Sequence, residues 1–207
     1  MTTLMVYAGR AAAGAAVTRT GGVPLLPGGF SWPACLACKG PMQFLAQVML
    51  SDLEVDDRRG VLLIFMCQND PGMCDEWDPA AGGNAALLLP FAGLRPAVAP
   101  PGPAAGLGEV SAVRYVIMDA DYDQAREDWA GRERRPARDV LGQLGGQPSW
   151  VQADETPACR ECSAPMSLAV QLEEGRDHRT AANFGGGGCG YGFTCPRCST
   201  AAFLWQC

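Results

Sequence analysis

One phrase occurs twice in this chain of 207 residues, and it constrains the possible folds more than any other feature. Residues 33–47 read PACLACKGPMQFLAQ, and residues 157–171 read PACRECSAPMSLAVQ. Each copy contains Pro-Ala-Cys-x-x-Cys-x-x-Pro-Met and then an apolar run that ends in Gln. The second copy follows the first by 124 positions, as from Cys35 to Cys159. A repeat of this kind predicts two related halves that each contain a cysteine cluster.

Charge and cysteine content narrow the class of partner and the compartment. The chain carries 16 Lys and Arg against 22 Asp and Glu, which is a net charge of −6. Binding to nucleic acid through phosphates requires clustered basic residues, so we expect no nucleic-acid partner. The N-terminus lacks the basic start of a signal peptide, and no apolar run reaches the about 18 residues of a membrane helix. We therefore expect a cytoplasmic protein without membrane contact, whose 10 cysteines bind metal rather than form disulfides.

The low-complexity stretch AVAPPGPAAGLG divides the chain. It contains no charged residue, and its three prolines within four positions stiffen the backbone and disfavour regular sheet or helix. We therefore predict a first half with a zinc module over 1–96 and a Pro/Gly/Ala linker over 97–108. The second half, over 109–207, is predicted to contain a zinc-ribbon-like module.

Short runs of branched and aromatic residues predict strands in both halves. The predicted strands cover 42–50, 61–67, 85–91, 112–118, 167–172, 191–194 and 200–205. One helix is expected within 119–138, because its acidic start and Arg-rich end complement the helix dipole and Pro136 limits its length. The predicted fold class is α+β: strand-rich and internally duplicated, in a pseudo-twofold arrangement with two zinc-ribbon-like four-cysteine sites.

Eight of the ten cysteines form two sets with the spacing of metal ligands. The first set is Cys35, Cys38, Cys67 and Cys74, and the second set is Cys159, Cys162, Cys195 and Cys198. Zinc takes four ligands in a tetrahedron, and two residues between paired cysteines let both sulfurs converge on one ion. We therefore predict two structural zinc ions, one for each set.

The two sets differ in spacing. The second has the spacing of a zinc ribbon, with a CxxC pair followed after 32 residues by CPRC. In the first, six residues separate Cys67 from Cys74. Because FMC at 65–67 matches FTC at 193–195, we expect Cys74 to be the equivalent of Cys198. Cys189 and Cys207 remain outside both sets, although Cys189 lies near enough in sequence to replace a ligand.

The same residues argue against catalytic chemistry. A redox CxxC pair begins a helix, whereas these pairs lie in turns beside predicted strands. The spacing of the two pairs also fits zinc better than an iron–sulfur cluster. Four thiolates leave no open zinc position for water, and the one histidine, His178, lies in a polar stretch. We therefore predict no catalytic and no cofactor-binding residues, and we do not expect an enzyme.

Several segments resemble the bacterial YwqG-like family of unknown function. They read GGVPLLPGGFSWP and FLAQVMLSDL in the first half, and LGGQPSWVQADETPAC, FGGGGCGYGF and FLWQC in the second. The segment VLLIFMCQNDPGMCDEW is in addition similar to relatives of eukaryotic programmed cell death protein 2. In those relatives the cysteine module belongs to proteins thought to chaperone a ribosomal protein. The first resemblance implies an internally duplicated α+β fold and brings no established reaction.

The pairing of structural zinc with missing catalytic groups predicts a non-catalytic protein-interaction module, whose protein partner the sequence does not identify. Its candidate contacts are three tryptophans: Trp32, Trp77 and Trp150. One alternative is a dedicated chaperone of a basic, ribosomal protein. A second alternative is an enzyme with an active site in a cleft between the two halves, where carboxylates would converge from Asp119, Asp121 or Asp154.

Overall fold

The structure, a computed structural model, describes residues 1–12, 14–53, 60–101, 109–177 and 181–207. Within these residues the chain forms twelve strands, one α-helix and two short 3₁₀ turns. The strands are β1 (Thr2–Arg10), β2 (Arg19–Thr20), β3 (Leu25–Leu26), β4 (Gln43–Met49), β5 (Gly60–Met66), β6 (Asn84–Pro90), β7 (Arg95–Pro96), β8 (Ser111–Met118), β9 (Val140–Leu144), β10 (Ser167–Glu173), β11 (Cys189–Cys195) and β12 (Thr200–Gln206). The helix α1 spans Tyr122–Glu133, and the 3₁₀ turns span Leu50–Asp52 and Ala137–Asp139.

Ten of the strands form one antiparallel sheet in the order β12-β11-β10-β9-β1-β8-β2-β4-β5-β6. The sheet curls until its two outermost strands, β6 and β12, lie close to one another, so the sheet is nearly closed. The short strands β3 and β7 pair separately. The expectation of a strand-rich protein is therefore confirmed.

The strand order has the same pattern when it is read from either end. Outward from the central pair β1 and β8, the strands β9 to β12 on one side match β2, β4, β5 and β6 on the other. The three outer strands have seven residues each on both sides. The pairing of β4 with β5 shifts register between Phe44 and Ala46. That of β10 with β11 shifts between Leu168 and Val170, the positions that the sequence repeat makes equivalent.

The two predicted halves interleave within this sheet. β1 comes from the first predicted half but lies between β8 and β9 of the second, and β8 lies between β1 and β2 of the first. Each half therefore places its first strand beside strands of the other half. Residues 97–101 of the predicted linker contain no helix or strand, and residues 102–108 lie outside the described residues. The division of the chain at this linker stays a prediction.

All seven predicted strands are present, with boundaries shifted by one or two residues. The sequence reasoning missed β1 and β9, which lie side by side near the centre of the sheet. In β1 the buried residues Leu4, Met5 and Val6 are consecutive, so no alternation marks the strand. In β9, Gly142 allows the backbone to approach β10 closely, because a Cβ atom at this position would lie 1.9 Å from the carbonyl oxygen of Gln171.

The predicted helix is present as α1. It begins after Asp121, whose carboxylate accepts a hydrogen bond from the backbone N–H of Gln124 at 3.0 Å. It ends at Arg134, which has left-handed backbone dihedrals. Trp129 of this helix is buried in a cluster with Leu4 of β1. In the described part of the chain, no helix is long and apolar enough to cross a membrane.

The curled sheet separates most of the apolar core into an inner cluster and two outer clusters, and a fourth cluster packs the helix against β1. The inner cluster combines residues from strands on either side of the central pair β1 and β8, such as Leu62 of β5 and Phe203 of β12. Each outer cluster contains aromatic side chains and three or four cysteines, for example Phe65 with Cys67 on one side and Phe193 with Cys195 on the other. Six of the eight predicted ligands therefore belong to these clusters or pack against them, whereas Cys38 and Cys162 are exposed.

Two buried glutamines occupy equivalent positions in β4 and β10. Gln47 donates from Nε2 to the carbonyl oxygens of Ala15 and Val17, both at 2.8 Å. Gln171 accepts at Oε1 from the side chain of Gln143 at 2.8 Å and from the backbone N–H of Ser149 at 2.9 Å. Each amide thereby fixes the segment that crosses over its strand.

Different side chains on β2 and β9 complete the two networks. Arg19 donates to Gln47 Oε1 at 3.4 Å and to the carbonyl oxygen of Val23. Gln143, at the equivalent position, donates to the carbonyl oxygen of Gln147 at 2.9 Å. Arg19 is fully buried, and this burial lowers the pKa of its guanidinium group to about 10. The two equivalent turns are therefore held by the guanidinium group of Arg19 in the first half and by the neutral amide of Gln143 in the second.

Replacing Gln171 with Ala is expected to lower the free energy of unfolding by about 1–3 kcal/mol, because it leaves the Ser149 N–H and the Gln143 amide without their buried acceptor. Gln47→Ala should cost a similar amount, because two backbone carbonyls lose their donor. Gln147→Ala removes an exposed side chain from the same turn and is the control. Urea unfolding measures all three, and an equal loss for Gln147→Ala would contradict the assigned role.

Candidate metal centres

The first four-cysteine group lies where the turn before β4 meets the connection from β5 to β6. Cys35 and Cys38 lie in that turn, which is closed by a hydrogen bond from the Cys35 N–H to the Gly40 carbonyl oxygen at 2.9 Å. Cys67 directly follows β5, and Cys74 lies in the loop that leads to β6. Cys38 is exposed and the other three thiols are buried. The core thus holds most of this group.

The second group is built in the same way. Cys159 and Cys162 lie in the turn before β10, Cys195 is the last residue of β11, and Cys198 lies in the turn that leads to β12. Cys159 and Cys195 are buried, Cys198 is half-buried and Cys162 is exposed. The structure therefore brings together all eight cysteines in the two sets that their spacing predicts.

A residue in the left-handed backbone region follows the second cysteine of every pair. These residues are Lys39, Asp75, Ser163 and Ser199, with φ values between 49° and 63°. After the first cysteine pair, the Lys39 N–H donates to the Cys35 carbonyl oxygen at 3.0 Å, and the equivalent bond of Ser163 is 2.8 Å long. This conformation is uncommon for residues with a Cβ atom, and here it turns the chain back after each pair.

The spacing of the sulfurs fits one tetrahedral metal ion in each group. All four Sγ atoms of a group lie within 4.8 Å of one another. The Sγ atoms of Cys38 and Cys67 are 3.6 Å apart, and those of Cys162 and Cys195 are 3.8 Å apart. A metal–sulfur distance of about 2.3 Å in a tetrahedron places the sulfurs about 3.8 Å apart. Each group can therefore hold a metal ion with four thiolates as its complete ligand set.

Two polar side chains organise the first group. The Asn69 amide donates to the Sγ atoms of Cys38 at 3.4 Å and Cys67 at 3.3 Å. Glu76 is buried and accepts backbone N–H bonds from Gly72 at 2.5 Å and Cys74 at 3.3 Å. Glu76 thus holds the longer loop of this group, and Asn69 places donors beside the sulfurs, where they favour thiolates.

Different side chains surround the second group. The Thr200 hydroxyl lies 3.3 Å from Sγ of Cys159. Arg160 and Arg197 occupy positions between the paired cysteines, and both are exposed. Arg160 also donates from Nη2 to the carbonyl oxygen of Pro79 at 2.8 Å, and this bond links the two cysteine modules across the gap between β6 and β12.

The thiols within each group differ in acidity. A hydrogen bond from the backbone of Gly40 lowers the pKa of Cys38 to about 7, and the hydroxyl of Thr200 lowers the pKa of Cys159 to about 6. Burial raises the pKa of Cys74 above its ordinary value. A divalent cation at the centre favours the ionised form of all four thiols, so metal binding at these groups is coupled to proton release.

The two remaining cysteines join neither group. Cys189 is buried, its Sγ lies 3.6 Å from Oε1 of Glu173, and burial raises its pKa to about 12. Cys207 is exposed at the last position of the chain. His178 lies outside the described residues.

Of the three tryptophans predicted as contacts, Trp77 is exposed and the other two are partly buried. Trp32 donates its indole N–H to the Met42 carbonyl oxygen at 2.8 Å. Trp150 packs on Tyr191 with ring centres 4.6 Å apart. Two of the three predicted contacts therefore serve the packing of the modules.

The carboxylates of the enzyme alternative do not line the cleft between β6 and β12. Asp121 caps the helix, and Asp154 accepts from the backbone N–H of Thr156 at 2.9 Å. A cleft of about 620 Å³ lies between β6 and β12, and Glu161 is the one carboxylate among its described lining residues. The proposed convergence of Asp119 with the other two carboxylates does not occur in this cleft.

The sequence reasoning identified the thiols but missed Asn69, Glu76 and Thr200. Asn69 lies in a loop of ordinary turn composition, and Thr200 begins a strand, so neither stands out in the sequence. Glu76 lies in an acidic stretch that predicts a solvated surface, and its burial depends on backbone donors that only the folded loop provides. Proximity in sequence was the one signal for Asn69, which follows Cys67 by two positions.

Replacing Asn69 with Ala is expected to lower the metal affinity of the first group by about ten-fold, because two N–H donors to the sulfurs are lost. The second group should be unaffected. Competition between the protein and a chromogenic chelator, with added cobalt or zinc, measures both affinities. Thr200→Val is the matched variant and should weaken the second group alone. An equal effect of Asn69→Ala on both groups would contradict this role.

Two comparisons with known proteins are consistent with a family of unknown function. A segment of 68 residues, 32% of this chain, is 40% identical to the uncharacterized protein YpfL of Salmonella typhimurium strain LT2. The match covers 15% of that relative, and its name gives no activity. The relations to the YwqG-like family and to programmed cell death protein 2 stay predictions. Residues 18–198 match the family model described as domain of unknown function DUF1963, and this chain therefore belongs to that family.

Proposed function

We propose that this protein is a non-catalytic protein-interaction module, with an internally duplicated α+β fold in which each half is held by one structural zinc ion. The observation that carries the proposal is the convergence of four sulfurs within 4.8 Å in each of two groups. Tetrahedral sites of four thiolates favour zinc or iron–sulfur clusters. Sulfur separations of 3.6 and 3.8 Å suit a single ion, which favours zinc.

The inferred duplication rests on local features that recur at equivalent positions. They include the register shift in the pairing of β4 with β5 and of β10 with β11, and the left-handed residue after each cysteine pair. They also include the buried glutamine in β4 and in β10. Each feature depends on a different set of contacts. A shared origin explains why all of them recur, whereas the demands of metal binding explain only the cysteine turns.

A structural role follows from the ligand set. Four thiolates from the chain complete the zinc tetrahedron, so no position remains for water or substrate. Zinc would supply free energy of folding, because it ties the turn before β4 to the β5–β6 connection and the turn before β10 to the β11–β12 turn. All ten cysteines are unpaired, which supports a reducing compartment such as the cytoplasm.

Metal analysis tests the zinc assignment. Purified protein is expected to contain two zinc ions per chain by native mass spectrometry and elemental analysis. Cys35→Ser with Cys38→Ser should leave one zinc ion, as should Cys159→Ser with Cys162→Ser, and each pair should lower the melting temperature. Cys189→Ser with Cys207→Ser replaces thiols outside the groups and should retain both ions.

Three results would overturn this proposal. A folded protein without metal would remove the structural role, and stoichiometric iron with sulfide would assign the groups to clusters instead. Loss of zinc from the Cys189→Ser, Cys207→Ser control would show that the ligand sets are wrong.

A further inference from the structure

The two cysteine modules expose different side chains at equivalent positions. Leu36 follows the first cysteine of its group, and its side chain is 64% exposed. Met73 precedes the last cysteine of the group and is 72% exposed. In the second module the same positions are occupied by Arg160 and Arg197. The first module therefore places two large apolar side chains in solvent where the related module places cations.

Trp77 lies in the same loop as Met73 and is also exposed. Its side chain is 42% exposed, and it lies three residues after Cys74. The Asn84 amide donates to the carbonyl oxygens of Glu76 at 2.9 Å and Asp78 at 3.0 Å, which fixes the backbone on both sides of the tryptophan. The indole is therefore presented on a rigid loop. Aromatic side chains of this kind contribute strongly to protein interfaces.

The region around these apolar residues is acidic. Asp70 and Asp75 are exposed, and four thiolates around a divalent ion would add net negative charge to this module. The nearby cation, Lys39, donates to the Leu36 carbonyl oxygen. We name Leu36, Met73, Trp77, Asp70 and Asp75 together the tip surface. It combines apolar anchors with carboxylates, on a chain whose net charge is −6.

We propose that the tip surface binds a basic segment of a partner protein that carries large aliphatic or aromatic side chains. This inference rests on the proposed protein-interaction function and assigns its surface and its partner chemistry. Apolar side chains of the partner would cover Leu36, Met73 and Trp77, and its Lys or Arg residues would approach Asp70 and Asp75. A soluble monomer rarely exposes grouped apolar residues without such a role.

The charge decides between this partner and two others. An acidic segment would be repelled by the carboxylates and by the thiolate centre. A nucleic acid would be repelled for the same reason, because its phosphates require basic residues. Electrostatic complementarity therefore favours a basic partner.

Three short fluorescent peptides test the proposal by anisotropy with the full chain. One contains Arg and Leu, the second contains Arg and Ser, and the third contains Glu and Leu. The Arg/Leu peptide is expected to bind at least about ten-fold more tightly than either other peptide. Its affinity should fall as salt is raised, because the contribution of the carboxylates is screened.

Matched variants locate the binding surface. Leu36→Arg with Met73→Arg should weaken binding of the Arg/Leu peptide at least about ten-fold. Val98→Arg with Ile117→Arg adds the same charge at two other exposed apolar positions and should change the affinity less than about two-fold. Asp70→Asn with Asp75→Asn should weaken binding and reduce its dependence on salt.

Equal binding of the Arg/Leu and Arg/Ser peptides would overturn the proposal, as would equal losses in the two Arg variants. Dimers in sedimentation velocity that disappear with Leu36→Arg and Met73→Arg would also overturn it, because the surface would then serve a second copy. The zinc content of the same samples separates this test from the proposed function. Two zinc ions without selective binding would reject the tip surface alone, whereas selective binding without zinc would support the tip surface and reject structural zinc.

Discussion

In each module, four sulfurs converge in the part of the chain that has the least support from strand pairing. β6 and β12 are the outermost strands, so each is hydrogen-bonded to one neighbour only in the sheet. The loops that lead into them contain the second cysteine pairs, and the turns before β4 and β10 contain the first pairs. Four thiols within 4.8 Å cannot all ionise without a cation, because their charges repel at that distance. A metal ion bound by the four thiols would therefore also tie each outer hairpin to the turn before β4 or β10.

The two modules share their backbone and differ in their charges. The cysteine turns and the register shifts are the same, yet Arg19 in one half replaces Gln143 in the other, and Leu36 replaces Arg160. The conserved features lie in the core or in the turns, where packing and backbone geometry restrict the side chain. Leu36 and Arg160 differ where the side chain meets solvent, whereas Arg19 and Gln143 differ at a buried position beside a turn. Two modules with the same backbone geometry can in this way differ in their exposed side chains while the frame stays the same.

Sequence patterns located the outer parts of this fold better than its centre. The strands that carry the repeat were predicted within two residues, because apolar runs and cysteine spacing mark them. β1 and β9 were missed, because a strand buried by neighbours on both sides needs no alternation and Gly142 lowers strand propensity. The interleaving of the halves depends on long-range pairing that no local pattern encodes. The thiol sets followed from spacing, whereas Asn69 acts through contacts with the sulfurs and Glu76 through contacts with backbone N–H groups, and both sets of contacts exist only after folding.

The tip surface and the first metal centre depend on each other. Leu36 and Met73 are each next to a cysteine of the group, so the thiol cluster fixes the backbone from which they project. A rigid backbone lowers the entropy lost when a partner orders these side chains. The exposed carboxylates near the first group would repel a thiolate centre, whereas the second module has Arg160 and Arg197 between its paired cysteines. Stability alone favours the arginines. In the proposed complex, the basic segment of the partner would offset the repulsion among the carboxylates and cover the apolar side chains.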